Sequence, residues 1–231
     1  MSSILTIETS TSVCSVALFS KGELVSERIS FTGPSHASLL GVFIQEILQE
    51  AKLLSIRPDA VAVSCGPGSY TGLRIGVSMT KGLCYGWNVP LISVNTLKLL
   101  AATVIAQENV CGNTLLCPML DARRMEVFST FYTNQLEQTR TIAADIIDEN
   151  SYNDILDQHQ VLFFGNGAEK CRTFITHPNA VFIDNVVPKA IHMMPLAEQS
   201  FVEGKFEDVA YFEPFYLKEF VATVPKKKVI G

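Results

Sequence analysis

Apolar and polar residues follow one another along the first part of the chain in a pattern that predicts a small sheet and then a helix. Three strands are predicted at residues 4–9, 13–19 and 24–31, with a tight turn at 20–22 between the last two. A helix is predicted after residues 33–35, because apolar side chains recur there at helical spacing. These side chains are Leu40, Phe43, Ile44, Ile47, Leu48 and Ala51.

The chain then alternates strands with helices. A short apolar run at 60–63 predicts a buried strand, and a glycine-rich turn separates it from a helix at 73–87. A strand at 90–94 leads to a helix at 96–107, for which Asn95 is placed as the N-cap. The order β-β-β-α-β-α-β-α predicts a mixed sheet with helices on its faces.

The second half of the chain is less regular. Strands are predicted at 115–120, 126–132 and 161–164. The turn at 165–168 is expected to open a helical stretch, and a further helix is expected within 188–204. No repeat of fixed period is visible.

A chain of 231 residues can form one large domain or two small ones. No segment of low complexity separates the two halves, so we expect a tightly packed border near residues 105–112. We therefore predict an N-terminal domain of residues 1–107 and a C-terminal domain of residues 108–231.

Composition and charge narrow the class of protein. Hydrophobic residues make up 48% of the chain and charged residues 18%, which favours a folded core, and the net charge of −5 argues against nonspecific binding of nucleic acid. Six cysteines without a Cys-x-x-Cys pair indicate free, buried thiols of a reducing compartment. No apolar run reaches the roughly 18 residues of a membrane span, and the N-terminus lacks the basic region of a signal peptide. We expect a cytoplasmic protein without membrane contact.

The turn at residues 65–76, with the sequence CGPGSYTGLRIG, is the most distinctive segment. A strand, a glycine-rich turn and a helix place backbone N–H groups where an anion or a close-packed neighbour can sit. The turn matches no common nucleotide pattern: Leu73 stands where a P-loop requires lysine, and Gly72 comes one residue late for the dinucleotide pattern. A ligand-facing loop and a structural turn remain as alternatives.

Four other residues are candidates for chemistry. Glu8 is predicted to lie near the end of the first strand, where it could hold a metal-bound phosphate or cap the turn. Arg123 and Arg124 could recognise an anion, or they could belong to a solvated ion-pair cluster with neighbouring carboxylates. His36 has no second histidine at helical spacing, so a capping or surface role is favoured over metal binding.

Two glycine pairs at a spacing of four residues mark the helix that follows the turn: Gly72 with Gly76, and Gly82 with Gly86. Each pair lies along one helix face, and either packing on the protein's own sheet or contact with another subunit would explain it. On the second explanation, Gly76→Leu or Gly82→Leu is expected to block partner binding and leave the fold intact.

Four segments, at 4–11, 14–18, 66–76 and 121–127, resemble the TsaB (YeaZ) family. The resemblance runs from end to end of the chain and is strongest over residues 4–128. It implies an α/β fold of two actin-like ATPase (RNase H-like) domains, with mixed sheets and flanking helices.

The resemblance also implies a role. Members of this family belong to the bacterial machinery that makes threonylcarbamoyladenosine (t6A) in tRNA, next to the anticodon. The chemistry is carried by the paralogue TsaD, which holds the metal and the nucleotide, and the TsaE ATPase joins the pair. We therefore expect a non-catalytic subunit without its own cofactor, metal or catalytic residues. It is expected to bind a TsaD-like paralogue, to form a homodimer when alone, and to meet tRNA indirectly through the complex.

The resemblance implies that pairing uses the helices near residues 35–52 and 73–87. The predicted partner or dimer contacts are His36, Leu40, Phe43, Ile47, Leu73, Gly76, Thr80 and Leu83. The predicted nucleotide or anion contacts are Glu8, Gly68, Ser69, Thr71, Arg74 and Arg123. The alternative is an enzyme in its own right, an ATPase or hydrolase that uses Glu8, Ser69 or Arg74. The lysines at 226–228 could meet a phosphate or be solvated.

Overall fold

The structure is a computed structural model, and it describes residues 2–32, 36–110 and 112–218. The predictions for residues 33–35, Cys111 and the lysines at 226–228 lie outside the described residues. Within the part of the chain that is described, no helix combines the length and the apolar character needed to cross a bilayer.

Five strands form the first sheet in the order β3-β2-β1-β4-β5. In chain order the elements of this half are β1 (Ser3–Glu8), β2 (Cys14–Ser20), β3 (Glu23–Ser30), α1 (His36–Leu53), β4 (Ala60–Gly66), α2 (Tyr70–Trp87), β5 (Leu91–Asn95) and α3 (Thr96–Gln107). The first three strands form an antiparallel meander, and β4 and β5 extend the sheet in parallel from β1. The predicted mixed sheet with intervening helices is confirmed.

The second sheet has the order β10-β9-β6-β7-β8. Its half of the chain contains β6 (Leu115–Asp121), β7 (Glu126–Ser129), β8 (Ala143–Ile146), α4 (Asn153–Leu156), β9 (Val161–Phe164), a 3₁₀ helix (Glu169–Cys171), β10 (Ala180–Ile183), a second 3₁₀ helix (Ala190–Met193) and α5 (Met194–Val202). Its strands repeat the meander and the two parallel additions of the first sheet. The predicted pair of related α/β domains is confirmed as a fold.

Several sequence predictions for the second half are wrong in detail. The strand predicted at 126–132 ends at Ser129, β8 and β10 were not predicted, and the helical stretch after residue 168 is only a single 3₁₀ turn. The sequence did not predict β8 and β10 because each is four residues long and mostly half-exposed. Such strands show no clear alternation of apolar and polar residues. α2 begins at Tyr70, three residues before its predicted start, since Ser69 Oγ accepts the backbone N–H of Gly72 at 3.3 Å.

Helices cover both faces of the first sheet. Leu5 and Ile7 of β1 pack with α1 and α2, while Ile4 points to the opposite side and packs with α3 and α5. The predicted cap of α3 is confirmed, because Asn95 Oδ1 accepts the N–H groups of Leu97 at 2.9 Å and Lys98 at 3.1 Å.

The C-terminal segment returns to the first sheet. The Thr6 hydroxyl donates to the Ala190 carbonyl at 2.9 Å, and the Ala190 N–H donates to Ser15 Oγ at 2.9 Å. Further along, the N–H of Glu207 donates to the carbonyl of Leu91 at 2.9 Å. The predicted domain border at 107/108 stays a prediction. It falls between the two sheets, but Ala190 and Glu207 from the second half of the chain make hydrogen bonds to the first sheet.

The two glycine pairs of α2 have different surroundings. A Cβ atom on Gly72 would lie 2.1 Å from the carbonyl oxygen of Thr9, and one on Gly76 would lie 2.2 Å from Thr9 Oγ1. Cβ atoms on Gly82 and Gly86 would meet nothing within 4 Å. Packing against the protein's own strand therefore explains the first pair, and the second pair faces open space. The expectation that Gly76→Leu leaves the fold intact is wrong.

We predict that Gly76→Ala lowers the free energy of unfolding by about 1–3 kcal/mol, since the new methyl group overlaps Thr9. Thr9 cannot easily move, because its hydroxyl donates to the Gly72 carbonyl at 2.8 Å. Gly82→Ala is the matched control and should raise stability by about 0.5–1 kcal/mol through helix propensity. Urea unfolding followed by circular dichroism measures both changes, and equal effects at the two positions would contradict this account.

Candidate functional site

A cleft of about 910 Å³ lies between the two halves of the fold. Its walls come from the turn after β1 (10–12), the glycine turn after β4 (67–72), the turn after β6 (120–124) and part of the C-terminal segment (215–218). The first three walls follow the carboxyl ends of strands, which is where open α/β sheets bind ligands. The cleft is therefore the candidate site.

The glycine turn is seated directly on the turn after β1. The N–H of Ser69 donates to the Ser10 carbonyl at 2.6 Å, and a Cβ atom on Gly68 would lie 2.4 Å from the same oxygen. Gly66 adopts a φ of 114°, which favours glycine. These backbone contacts show that the segment is a structural turn, which was one of the two alternatives. Residues 67–72 also line the cleft, so the turn has a face open to a ligand as well.

The N-terminus of α2 opens at this wall. α2 has 18 residues, with Ser69 as its N-cap, so the partial positive charge of the helix dipole lies at the cleft. The predicted anion contacts Gly68, Ser69 and Thr71 are part of the cleft wall. Arg74 is not: its guanidinium donates to the Tyr70 hydroxyl at 2.8 Å and lies 4.9 Å from the centre of that ring.

The turn between β6 and β7 carries the charged residues of the opposite wall. Arg123 and Arg124 are exposed and have φ values of 71° and 49°, a conformation that L-residues rarely adopt. The neighbouring carboxylates do not pair with them: Asp121 forms an ion pair with Lys170, and Glu126 forms one with Lys218. The predicted ion-pair cluster of the arginines with these carboxylates is therefore not formed among the described residues, because lysines from elsewhere in the chain supply the cations.

Glu8 is buried beneath the cleft at the end of β1. Its Oε1 accepts the backbone N–H of Ser10 at 2.5 Å and also the Ser10 hydroxyl, so the capping alternative is the one that the structure shows. Its Oε2 has no hydrogen-bond partner among the described residues. Burial raises the pKa of Glu8 to about 6, although the hydrogen bonds from Ser10 act in the opposite direction.

His36 begins α1 and lines the cleft while being only 7% exposed. Its Nε2 lies 2.7 Å from the Thr11 carbonyl oxygen and holds the turn after β1 against the helix. This is a tertiary contact made by a buried side chain, so it is neither the helix cap nor the surface position that was expected for His36. Its Nδ1 has no hydrogen-bond partner among the residues that the structure describes.

The cysteines that the structure describes are free and mostly buried, as predicted. Burial raises the pKa of the Cys14 thiol to about 11 and that of the Cys84 thiol to about 12. Cys65 lies nearest the glycine turn, and burial raises its pKa to about 12 as well. These thiols therefore stay protonated at neutral pH and are poor nucleophiles.

Comparison with known proteins relates this fold to tRNA modification. A family model described as TsaD, tRNA N6-adenosine threonylcarbamoyltransferase, matches residues 30–224. The tRNA threonylcarbamoyladenosine biosynthesis protein TsaB of Escherichia coli is 30% identical over 227 residues, which cover 95% of this chain and 96% of the relative. The TsaB protein of Haemophilus influenzae is also 30% identical, with 93% of each chain covered.

The chain belongs to the TsaB family. The match to the TsaD model over most of its length also relates it to the wider TsaD-type family. The structure called YeaZ from Pseudomonas aeruginosa superimposes with a TM-score of 0.81 at 25% identity and covers 94% of this chain and all of that chain. The family resemblance predicted from the four sequence segments is confirmed.

The predicted partner contacts of this TsaB-family chain lie at different depths. Six of them are buried inside the protein's own fold, namely His36, Leu40, Ile47, Leu73, Gly76 and Thr80. Phe43 and Leu83 are half-buried. A contact through α1 and α2 would therefore need the outward residues of the same helices, and the interface itself stays a prediction.

The outward residues of α1 and α2 form a surface that the apolar pattern did not indicate. We call Gly41, Val42, Ser78, Gly82 and Tyr85 the α1–α2 surface; all five are exposed. Val42 is 47% exposed and Tyr85 is 86% exposed. The second glycine pair is the sequence signal that could have indicated this surface. Packing inside the fold does not explain why these positions are glycine, because a side chain there would meet no other atom within 4 Å.

We predict that Glu8→Gln stabilises the protein at neutral pH. Because the folded state raises the pKa of Glu8 from 4.5 to about 6, the folded protein binds the proton more tightly than the unfolded chain. The stability from this group is complete below pH 4.5 and is lost as the pH rises to about 6. Above that pH the buried charge costs roughly 2 kcal/mol, which Gln removes while its oxygen still accepts from Ser10.

Urea unfolding of both proteins across this pH range measures the effect. The difference in unfolding free energy should be small at pH 4 and should grow to roughly 2 kcal/mol at pH 8. A variant that is less stable than the wild type at pH 8 would show that the Glu8 carboxylate is needed in its charged form.

Proposed function

We propose that this chain is a non-catalytic assembly subunit that binds and stabilises a TsaD-type threonylcarbamoyltransferase in the synthesis of t6A. The observation that carries the proposal is the α1–α2 surface, where small residues and an exposed tyrosine meet solvent on two packed helices. Gly41 and Gly82 leave the helix backbones accessible, so another helix could approach closely. An exposed tyrosine is a residue type enriched at protein interfaces.

The chemistry of the cleft supports a role without catalysis. Glu8, the carboxylate that the rival enzyme hypothesis would use, is buried and uses one of its oxygens to hold its own turn. Ser69 is engaged as a helix cap, and Arg74 is turned toward Tyr70. Each residue of the rival enzyme hypothesis therefore has a structural partner within the chain.

The wider assembly follows from the same proposal. A TsaE-like ATPase would join the pair, tRNA would be met indirectly through the complex, and the isolated chain would form a homodimer by pairing its α1–α2 surface with that of a second copy. Two copies and a TsaD-type partner would then compete for one surface, because both would use the same residues.

We predict that Tyr85→Asp weakens binding of a TsaD-type partner without unfolding the chain. A carboxylate placed at the centre of an apolar contact has to be desolvated, which should weaken binding by about tenfold or more. Isothermal titration calorimetry with the purified partner measures the affinity, and circular dichroism checks the fold.

Tyr211→Asp is the matched control, because Tyr211 is 83% exposed but lies in the C-terminal segment. It makes the same change of charge and size away from the α1–α2 surface. If both variants lose the partner, or if Tyr85→Asp binds as the wild type does, the partner does not use this surface.

The alternative is an ATPase or hydrolase, and the size of the cleft is the observation in its favour. That alternative predicts nucleotide turnover by the isolated chain and its loss in Glu8→Ala. We predict instead that the isolated wild type and Glu8→Ala give the same background rate in a phosphate-release assay, because Glu8 does not line the cleft. A wild-type rate clearly above that of the variant would favour the enzyme.

A further inference from the structure

A second pocket, of about 460 Å³, lies between the start of α3, one face of α5 and the loop after β7 at residues 132–138. It shares no lining residue with the cleft, and none of its lining residues belongs to the α1–α2 surface. A volume of this size can enclose a small molecule. The pocket is therefore a candidate ligand site that does not depend on the proposed function.

Tyr132 forms part of the pocket wall although only 1% of the residue is exposed. Its backbone N–H and carbonyl pair with Leu116 at 2.9 and 2.8 Å, but its hydroxyl forms no hydrogen bond with any residue that the structure describes. Burial raises the pKa of Tyr132 above its usual range, so the hydroxyl keeps its proton at neutral pH. A buried hydroxyl without a partner is costly, and a ligand that accepts its hydrogen bond removes that cost.

Two opposite charges on the pocket wall have no counterion within the described part of the chain. Among the ion pairs of the described residues, none involves Lys98 or Glu137. The carboxylate of Glu203 feels the charge of Lys98 but forms its own ion pair with Lys205 at 2.6 Å. The wall therefore offers both an ammonium group and a carboxylate to a ligand.

Two glutamines add acceptors to this wall, and two leucines add apolar surface. The side-chain N–H groups of Gln138 and Gln199 donate to a backbone carbonyl at 2.6 Å and to a carboxylate at 2.9 Å. Their amide oxygens accept no hydrogen bond from a described residue and are left for a donor in the pocket. Leu136 and Leu196 line the same pocket and suit an aliphatic group.

We propose that this pocket binds a free amino acid with an aliphatic side chain. Lys98 and the Tyr132 hydroxyl hold its carboxylate, Glu137 and the two glutamine oxygens hold its ammonium group, and the leucines cover its side chain. A zwitterion pairs both wall charges at once, whereas a simple anion or cation leaves one of them without a counterion.

The test uses the full-length chain without a partner. L-leucine is titrated into it by calorimetry at low ionic strength, alongside 4-methylpentanoate, which lacks the amino group, and 3-methylbutylamine, which lacks the carboxylate. We expect L-leucine to bind with a dissociation constant below about 1 mM and each analogue to bind at least about tenfold more weakly.

Charge variants assign the site. Lys98→Gln and Glu137→Gln should each weaken L-leucine by about tenfold or more. Lys52→Gln and Glu149→Gln make the same two changes at exposed positions outside the pocket and should alter the affinity by less than about twofold.

Tyr132→Phe separates binding from folding, because it removes only the hydroxyl. Since this hydroxyl has no partner among the described residues, the variant should unfold at a temperature no lower than that of the wild type without ligand. It should nevertheless bind L-leucine about tenfold more weakly. A less stable variant with unchanged affinity would show that the hydroxyl serves the fold and not a ligand.

The proposal would be overturned by the absence of L-leucine binding up to about 10 mM. Equal binding of 4-methylpentanoate and L-leucine would identify a site for simple carboxylates instead. Equal losses in the pocket variants and their matched controls would indicate a general effect of charge.

Discussion

The contact between the turn after β1 and the start of α2 is the constraint on which the rest of the structure depends. β1 and β4 are parallel neighbours, so their carboxyl ends bring two turns to the same edge of the sheet. These turns touch through their backbones: the Ser10 carbonyl accepts from Ser69 N–H, and the Thr9 carbonyl occupies the space of any side chain on Gly72. α2 can therefore begin only where it does. The floor of the cleft and the burial of Glu8 follow from that position.

The same contact gives α2 an inner face and an outer face. The presence of glycine needs a different explanation on each face. Each glycine inside a helix costs about 0.5–1 kcal/mol relative to alanine. For Gly72 and Gly76 the fold explains this cost, because no larger residue fits against Thr9. For Gly82 and Gly86 the fold explains nothing, since the space above them is empty. The cost on the outer face is the physical reason to look for a role of α2 outside the subunit.

Local pattern was enough to predict the parts of the fold that depend on neighbours in sequence. The Asn95 cap and α3 are examples, because the capping oxygen and the N–H groups that donate to it lie within three residues of each other. The complete burial of Thr80 could not be predicted in this way, since helical spacing identifies an apolar stripe and Thr80 is polar. In the candidate site, the pairing of Glu126 was missed because its lysine lies 92 residues away.

The charge of the cleft is likewise a property of the whole fold. The C-terminal segment crosses α2, where Lys81 donates to two of its carbonyls, and then its Phe215 N–H donates to the Cys65 carbonyl at 2.7 Å. It ends, within the described residues, with Lys218 paired to Glu126 of β7. This path ties the first sheet to the second and also cancels a carboxylate on the cleft wall. The segment that joins the two halves therefore also supplies the cation that neutralises Glu126 on the cleft wall.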